Sequence, residues 1–390
     1  MTHRQAEPLL ERVKEIAGVI AEHAPEAERE RRLARPAFEA MRDAGLYTMW
    51  VPRDLGGYEV DPVSGMKVIG AVSAIDSAAG WNLQLASAVT ILMAWLPETG
   101  SKEVAEAPYC AGGFFPLGRA VAVDGGYRLT ARCPFSSGCQ QATWFICQAQ
   151  VFDGDTPRVD ENGQPVVIWP FYKAEEGNVV DTWRTMGMRG TGSHDIVAKG
   201  VFVPEHRVAS PRPLTDPPET YSGPLYRTTV WVPVAALAAP ALGIAQSAID
   251  FVVALGRKKQ PNYMTQTMGE RPVVQSQIAE ATAMLNASRA YLHGSLNKAH
   301  EIAIAGQLIS EEQKIDVQLA TTYAIRTAAD AVDLVCRAAG TTAIRETAQL
   351  EKHFRDIQVI TKHAYSSTAR YESVGKLLFG KETDWGFFAL

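Results

Sequence analysis

Apolar positions change their spacing twice along this chain of 390 residues. Over roughly the first 110 residues they recur every three or four positions. Leu9, Leu10, Val13, Ile16, Ala17 and Ile20 form one such stripe, as expected for a helix with one buried face. Pro36 suits the first turn of the next helix, which runs through Phe38 and Met41 to Gly45. Asp54–Gly57 reads as a turn, Pro62–Ile75 as a long helix, and a third helix carries Trp81–Trp95. From Gly112 the spacing becomes alternation. Ala120–Val123, Tyr127–Ala131, Trp144–Val151, Val166–Tyr172 and Asn178–Trp183 read as strands separated by Gly, Asp and Asn, and Asp124-Gly125-Gly126 is a tight hairpin signal.

The helical period returns after the Pro-rich stretch Ser210–Gly223, which reads as a linker. Helices are expected near 230–256, 273–306, 311–339 and 345–379, and their Ala-rich spacing suits close packing in a bundle. The pattern therefore predicts a mainly α protein with a central antiparallel β domain, either a small sheet or a barrel. An N-terminal helical domain would span 1–111, the β domain 112–222 and a C-terminal four-helix bundle 223–390.

Composition narrows the class. The chain is 46% hydrophobic and 21% charged, ordinary for a globular protein, and 390 residues exceed one small core. A net charge of −5 with scattered basic residues argues against nucleic-acid binding. The short cluster Arg29–Arg32 beside Glu28 and Glu30 reads as a solvated helix face. Five cysteines without a CxxC pair suggest reduced thiols and a cytoplasmic location. Residues 1–18 contain no apolar leader segment, so no secretory signal is expected. Val89–Leu96 is too short for a membrane span and Val230–Ile249 too rich in Ala, Pro and Gly, so both read as buried helices.

The segment Asp181–Val208, DTWRTMGMRGTGSHDIVAKGVFVPEHRV, carries candidate chemistry. Gly187, Gly190 and Gly192 permit backbone geometry closed to other residues, and Arg189, Thr191, Ser193 and His194 supply hydrogen-bonding groups between them. Ile196, Val197, Val201, Phe202 and Val203 then read as a strand closed by Pro204. Such a segment suits a flat ligand with polar edges. GMRGTG is not GxGxxG, no G-K-[ST] phosphate loop is present, His300-Glu301 lacks the second His of HExxH, and no His/Cys cluster suggests a metal.

Four motifs in order resemble the acyl-CoA dehydrogenase superfamily over almost the whole chain. They are GLYTMWVPRDLGGYEVDP (Gly45–Pro62), GGYRLTARCPFSSGCQQATW (Gly125–Trp144), the segment from Asp181, and ALGIAQSAIDFVVALGRKKQ (Ala241–Gln260). A dehydrogenase of that family needs a carboxylate base about nine residues after an Arg-Asp pair, or on the first bundle helix. Arg355-Asp356 is present, but Thr361-Lys362-His363-Ala364 stands at the first place, and Leu225–Ile249 holds no Asp or Glu. Glu372 lies two turns beyond. Arg355–His363 instead resembles the two-component flavin-dependent monooxygenases of this fold, among them p-hydroxyphenylacetate hydroxylase oxygenase components, seco-steroid phenol hydroxylase and dibenzothiophene monooxygenase.

That resemblance implies reduced FMN or FAD as cofactor, O2 as co-substrate reacting through a C4a-hydroperoxyflavin, and a separate NAD(P)H-flavin reductase as partner. A small aromatic substrate and a homotetramer are implied as well. His363 would face the flavin and either deprotonate a phenol or help hold the peroxide, a task suited to an imidazole titrating near neutrality. Ser137 would contact flavin N5, Phe135 would pack on the isoalloxazine, and Trp81 would shape the substrate pocket. Arg257 would reach a neighbouring subunit's cofactor phosphate. Arg189, Thr191 and Ser193 have two readings of similar weight: flavin-edge or phosphate contacts, or a turn held by its own hydroxyls. His194 faces either solvent or the pocket, and His353 is the weaker histidine candidate.

Overall fold

The computed structural model describes residues 4–209 and 216–385. Five helices come first: α1 (Glu7–Glu30), α2 (Arg35–Asp43), α3 (Pro62–Ile75), α4 (Ser77–Thr90) and α5 (Glu98–Ala105). Asp61 and Asp76 cap α3 and α4 by accepting the backbone N–H of Ser64 and Ala79, which fixes where both helices start. Eight strands follow: β1 (Cys110–Val123), β2 (Gly126–Ser136), β3 (Trp144–Asp153), β4 (Thr156–Pro157), β5 (Val167–Lys173), β6 (Asn178–Val180), β7 (His194–Pro204) and β8 (Val208–Ala209). The remaining helices are α6 (Pro224–Arg227), α7 (Trp231–Ala235), α8 (Ala238–Gly256), α9 (Pro272–Ile304), α10 (Glu311–Ala339), α11 (Gln349–Ile360) and α12 (Ala369–Leu378). Of the expected linker, Ser210–Thr215 lies outside the described residues.

The strand order is β6-β7-β2-β1-β3-β5-β8, with β4 paired to β3. The antiparallel expectation needs correcting at one pair: β1 and β3 run parallel, so the sheet is mixed. The Asp124-Gly125 turn does form the β1–β2 hairpin, with Val123 opposite Gly126. The chain then crosses from β2 to the far side of β1, and alternation in sequence marks strands without marking their neighbours. β1 also begins earlier than its apolar pattern suggests. Gly112 sits so close to β3 that a Cβ there would stand 2.5 Å from the Ile146 carbonyl oxygen. The strand expected over Asn178–Trp183 ends at Val180.

The helices before and after the sheet share one apolar core. It runs from Leu9 and Trp50 through Val72 and Leu83 to Leu242, Val332 and Ile357, and the sheet keeps a smaller core of its own. Trp231–Gly256 is apolar and long enough to cross a membrane, but 89% of its most apolar window is buried inside the protein, where α8 packs on α3 and α10.

The last expected helix, 345–379, is two helices. It breaks after Ile360 because nearby side chains capture the backbone groups that would continue it. Thr361 donates to the Gln358 carbonyl and Ser366 to the Ile360 carbonyl, while His363 Nδ1 accepts the Tyr365 N–H. His363 therefore sits in the break between α11 and α12 with extended backbone, not on a helix face.

Candidate active site

Three segments meet between the sheet and the helices: α4, the end of β2 with its following turn, and the loop that enters β7. Trp81 on α4 donates its indole N–H to Ser137 Oγ at 3.1 Å. Ser137 and Ser193 hydroxyls lie 2.7 Å apart, Ser193 and Thr191 hydroxyls 2.6 Å apart, and Thr191 donates to the Met188 carbonyl at 2.8 Å. The same carbonyl accepts the Trp183 indole N–H at 2.9 Å. All four side chains of this row are buried.

His363 joins the row through Trp81, whose ring it meets edge-on with centroids 5.7 Å apart, and it stacks on Tyr365 at 5.6 Å. Burial lowers its pKa from the ordinary 6.5 to about 4, because an imidazolium loses hydration there. The ring is thus neutral near pH 7. With Nδ1 accepting the Tyr365 N–H, its proton sits on Nε2, and the ring offers a hydrogen-bond donor.

Phe135 stands just before this row and is 70% exposed, edge-on to Trp183 with centroids 6.1 Å apart. Its φ of 59° lies in the left-handed region, disfavoured for a bulky side chain. The chain thus holds an aromatic ring toward solvent in a costly backbone conformation. An apolar ring presented next to a row of hydroxyls fits the face and edge of an isoalloxazine.

A buried ion pair fixes the loop that carries the row. Asp356, fully buried, pairs with Lys352 at 2.6 Å, accepts from Ser77, and accepts the Met188 backbone N–H. Lys352 also meets Asp76 at 3.0 Å. The Asp356 carboxyl is held below the usual range even though burial alone would raise it, because Lys352, the Met188 N–H and Ser77 all favour the anion. Gly187 lets the loop lie against α11, since a Cβ there would stand 2.6 Å from the Arg355 carbonyl. Sequence reading noted Arg355-Asp356 as a landmark but missed Asp356, Lys352, Ser77, Met188 and Trp183 as supports. The Lys-to-Asp spacing of four on one helix is the signal that was available.

Other candidates resolve differently. Arg189 does not join the hydroxyl row. It donates to the Thr185 carbonyl and faces Glu28 at 3.9 Å, on a cavity of about 670 Å³ lined also by Asp76, Lys352, His353 and Arg355. None of the row borders that cavity. Arg257 is exposed at the C-terminal end of α8 and has no hydrogen bond to the row. His194 is a buried structural residue. Its Nδ1 accepts the Thr182 and Trp183 N–H groups at 3.1 Å each, and Nε2 lies 3.3 Å from the Arg31 carbonyl. His353 is buried against Ser247 at 3.0 Å, its pKa pushed down to about 4 by burial and Lys352. Arg31, read as part of a solvated face, instead grips Asp181 with both nitrogens. Glu372 is exposed on the first turn of α12.

Comparison with known proteins identifies the family. Residues 5–107 match the acyl-CoA dehydrogenase N-terminal domain and residues 235–368 the acyl-CoA dehydrogenase C-terminal domain. The chain belongs to the acyl-CoA dehydrogenase superfamily. Within it, the chain falls among the flavin-dependent monooxygenases that act as oxygenase components. It is 29% identical to an indole-3-acetate monooxygenase of Pseudomonas putida, over 92% of this chain and 90% of that protein. It is 27% identical to the flavin-dependent monooxygenase oxygenase subunit HsaA of Rhodococcus jostii, over 95% of this chain and 98% of that one. Among solved structures, XiaF from a Streptomyces species in complex with FADH2 and glycerol superposes with a TM-score of 0.88 at 27% identity, covering 97% of this chain and 96% of that one.

Proposed function

We propose that this protein is the oxygenase component of a two-component system, using reduced FMN or FAD to insert one oxygen atom from O2 into a small aromatic substrate such as a phenol, an indole or a natural-product intermediate. The observation that carries the reading is the Trp81 indole bridging Ser137 and His363, beside an exposed aromatic ring and in place of a carboxylate base. XiaF binds FADH2, and the Pseudomonas relative is named for an indole substrate, which supports both halves of the proposal.

The reduced flavin supplies O2 activation at C4a and delivery of one oxygen atom. This chain's residues do the rest. Phe135 packs on the isoalloxazine face, and Ser137 holds N5–H as a hydrogen-bond acceptor. The buried row beneath Ser137 keeps water from N5. His363, neutral and protonated on Nε2, orients the substrate oxygen or nitrogen by donating a hydrogen bond. It acts as a base only if substrate binding raises its pKa from about 4. With a thioether or amine substrate the same donor would serve S- or N-oxygenation.

Arg189 and Arg257 are proposed for the flavin phosphate, Arg257 across a subunit contact in a homotetramer. Five free cysteines suit a cytoplasmic enzyme supplied by an NAD(P)H-flavin reductase. The test is stopped-flow mixing of protein and reduced flavin with O2. A long-lived oxygenated-flavin spectrum is expected. Rapid direct return to oxidised flavin, or anaerobic flavin reduction by an acyl-CoA, would overturn the proposal.

A further inference from the structure

The hydroxyl row has a direction built into it. At one end, the Trp81 indole nitrogen can only donate. At the other, the Met188 carbonyl can only accept. Three hydroxyls lie between them, and one arrangement satisfies every link. Trp81 donates to Ser137, Ser137 to Ser193, Ser193 to Thr191, and Thr191 to Met188. Burial deepens along the row, from 7% exposure at Ser137 to 4% at Ser193 and 1% at Thr191, so water does not compete for the inner links.

In this arrangement Ser137 spends its own proton inward and turns a lone pair outward. Resting on the reading that Ser137 meets flavin N5, we infer that the Trp81–Ser137–Ser193–Thr191 row selects the flavin by its redox state, favouring the reduced form. Reduced flavin carries a proton on N5 and finds an acceptor. Oxidised flavin presents a lone pair there and needs a donor. Ser137 becomes one only if the row reverses, Thr191 donating to Ser193 and Ser193 to Ser137, and reversal gives up the Thr191–Met188 bond. One net hydrogen bond corresponds to roughly a 2- to 13-fold preference. Such a site takes up the flavin that a reductase delivers and releases it once oxidised.

The experiment is anaerobic titration of the intact protein with FMN and FAD, oxidised and dithionite-reduced, reading the ratio of the two dissociation constants. Thr191→Val removes the inner anchor at nearly constant volume, and Ser193→Ala cuts the row at its middle. Either should shrink the preference toward unity by the factor above, and Thr191→Ser should restore it. A ratio unchanged in both Thr191→Val and Ser193→Ala overturns the inference. Ser137→Ala separates the two layers of argument. If it weakens reduced-flavin binding while the deeper variants leave the ratio alone, only the redox selection fails. If it changes neither affinity, Ser137 does not touch the flavin, and the reading and the inference fall together.

Discussion

The indole nitrogen of Trp81 lies 3.1 Å from the Ser137 hydroxyl oxygen and donates to it across 56 residues of sequence. This contact makes a helix residue part of the site on the sheet. Trp81→Phe keeps the ring against His363 but removes the donor, and Ser137→Ala removes the hydroxyl proposed to meet flavin N5. If Ser137 meets flavin N5 as proposed, both are expected to divert reducing equivalents from product to H2O2, Ser137→Ala more strongly. The loss of one buried hydrogen bond, about 0.5–1.5 kcal/mol, sets the scale for Trp81→Phe. Product yield and peroxide per NAD(P)H, assayed with an added flavin reductase, check this. Unchanged coupling in both variants would remove Ser137 from the site.

His363 and His353 both titrate near pH 4 when folded, against an ordinary 6.5. Between those values the unfolded chain binds more protons than the folded one, so stability falls as pH falls through that window and the loss is complete below it. Each ring contributes about 1–3 kcal/mol to that loss, after allowance for the partial exposure of His363. Urea unfolding at about pH 7 and about pH 5 should show the decline, and His363→Gln should reduce it, leaving the share of His353. An equal slope in His363→Gln would mean that this ring is already protonated in the native state.

Asp356 holds Lys352 and the Met188 N–H at once. Asp356→Ala strips the half-buried Lys352 cation of one of its two carboxylates and frees the loop that carries Thr191 and Ser193. Breaking a buried pair costs about 3–5 kcal/mol, and Asp76 keeps the loss near the lower end. Denaturant midpoints measure the stability term. Flavin titration of the folded variant should show weakened binding; native affinity would mean that the loop holds its shape without this anchor.

Gly187 lies where a Cβ would stand 2.6 Å from the Arg355 carbonyl. Gly187→Ala must push the loop away from α11, at a cost of roughly 1–3 kcal/mol. Gly125→Ala is the control, since space is open around it and only its φ of 74° is strained. Thermal unfolding of both, with flavin affinity falling only in Gly187→Ala, is the expected pattern.

Arg257 is exposed. If it reaches a neighbour's flavin phosphate, Arg257→Ala weakens flavin binding by the worth of a charge-assisted hydrogen bond, roughly 10- to 150-fold. The same variant should leave the oligomeric state of the native protein unchanged by light scattering. Unaltered affinity would assign Arg257 to the helix C-terminus alone.

Periodicity by itself determined most of the architecture. A stripe every three or four residues is what a helix with one buried face requires, so α1 to α3 and α8 to α10 were legible, as were the Asp124-Gly125 hairpin and the strand after Ser193. Their order, with four local motifs, pointed to the fold and to Ser137, Phe135, Trp81 and His363. Local pattern carries no information about distant partners, and there the tertiary structure decided. The parallel β1–β3 pair depends on a crossover that alternation cannot report. The break at Ile360 depends on hydroxyls and an imidazole outcompeting helix hydrogen bonds over a few residues. His194 and Arg189 looked like equals of Thr191 and Ser193 because all four lie within six positions. Folding turned His194 into a buried acceptor of backbone N–H groups and aimed Arg189 at Glu28. The Trp81–Ser137 contact and the Asp356–Met188 anchor join segments far apart in the chain. Such contacts form only when helices and sheet pack together and bury polar groups that must then find one another.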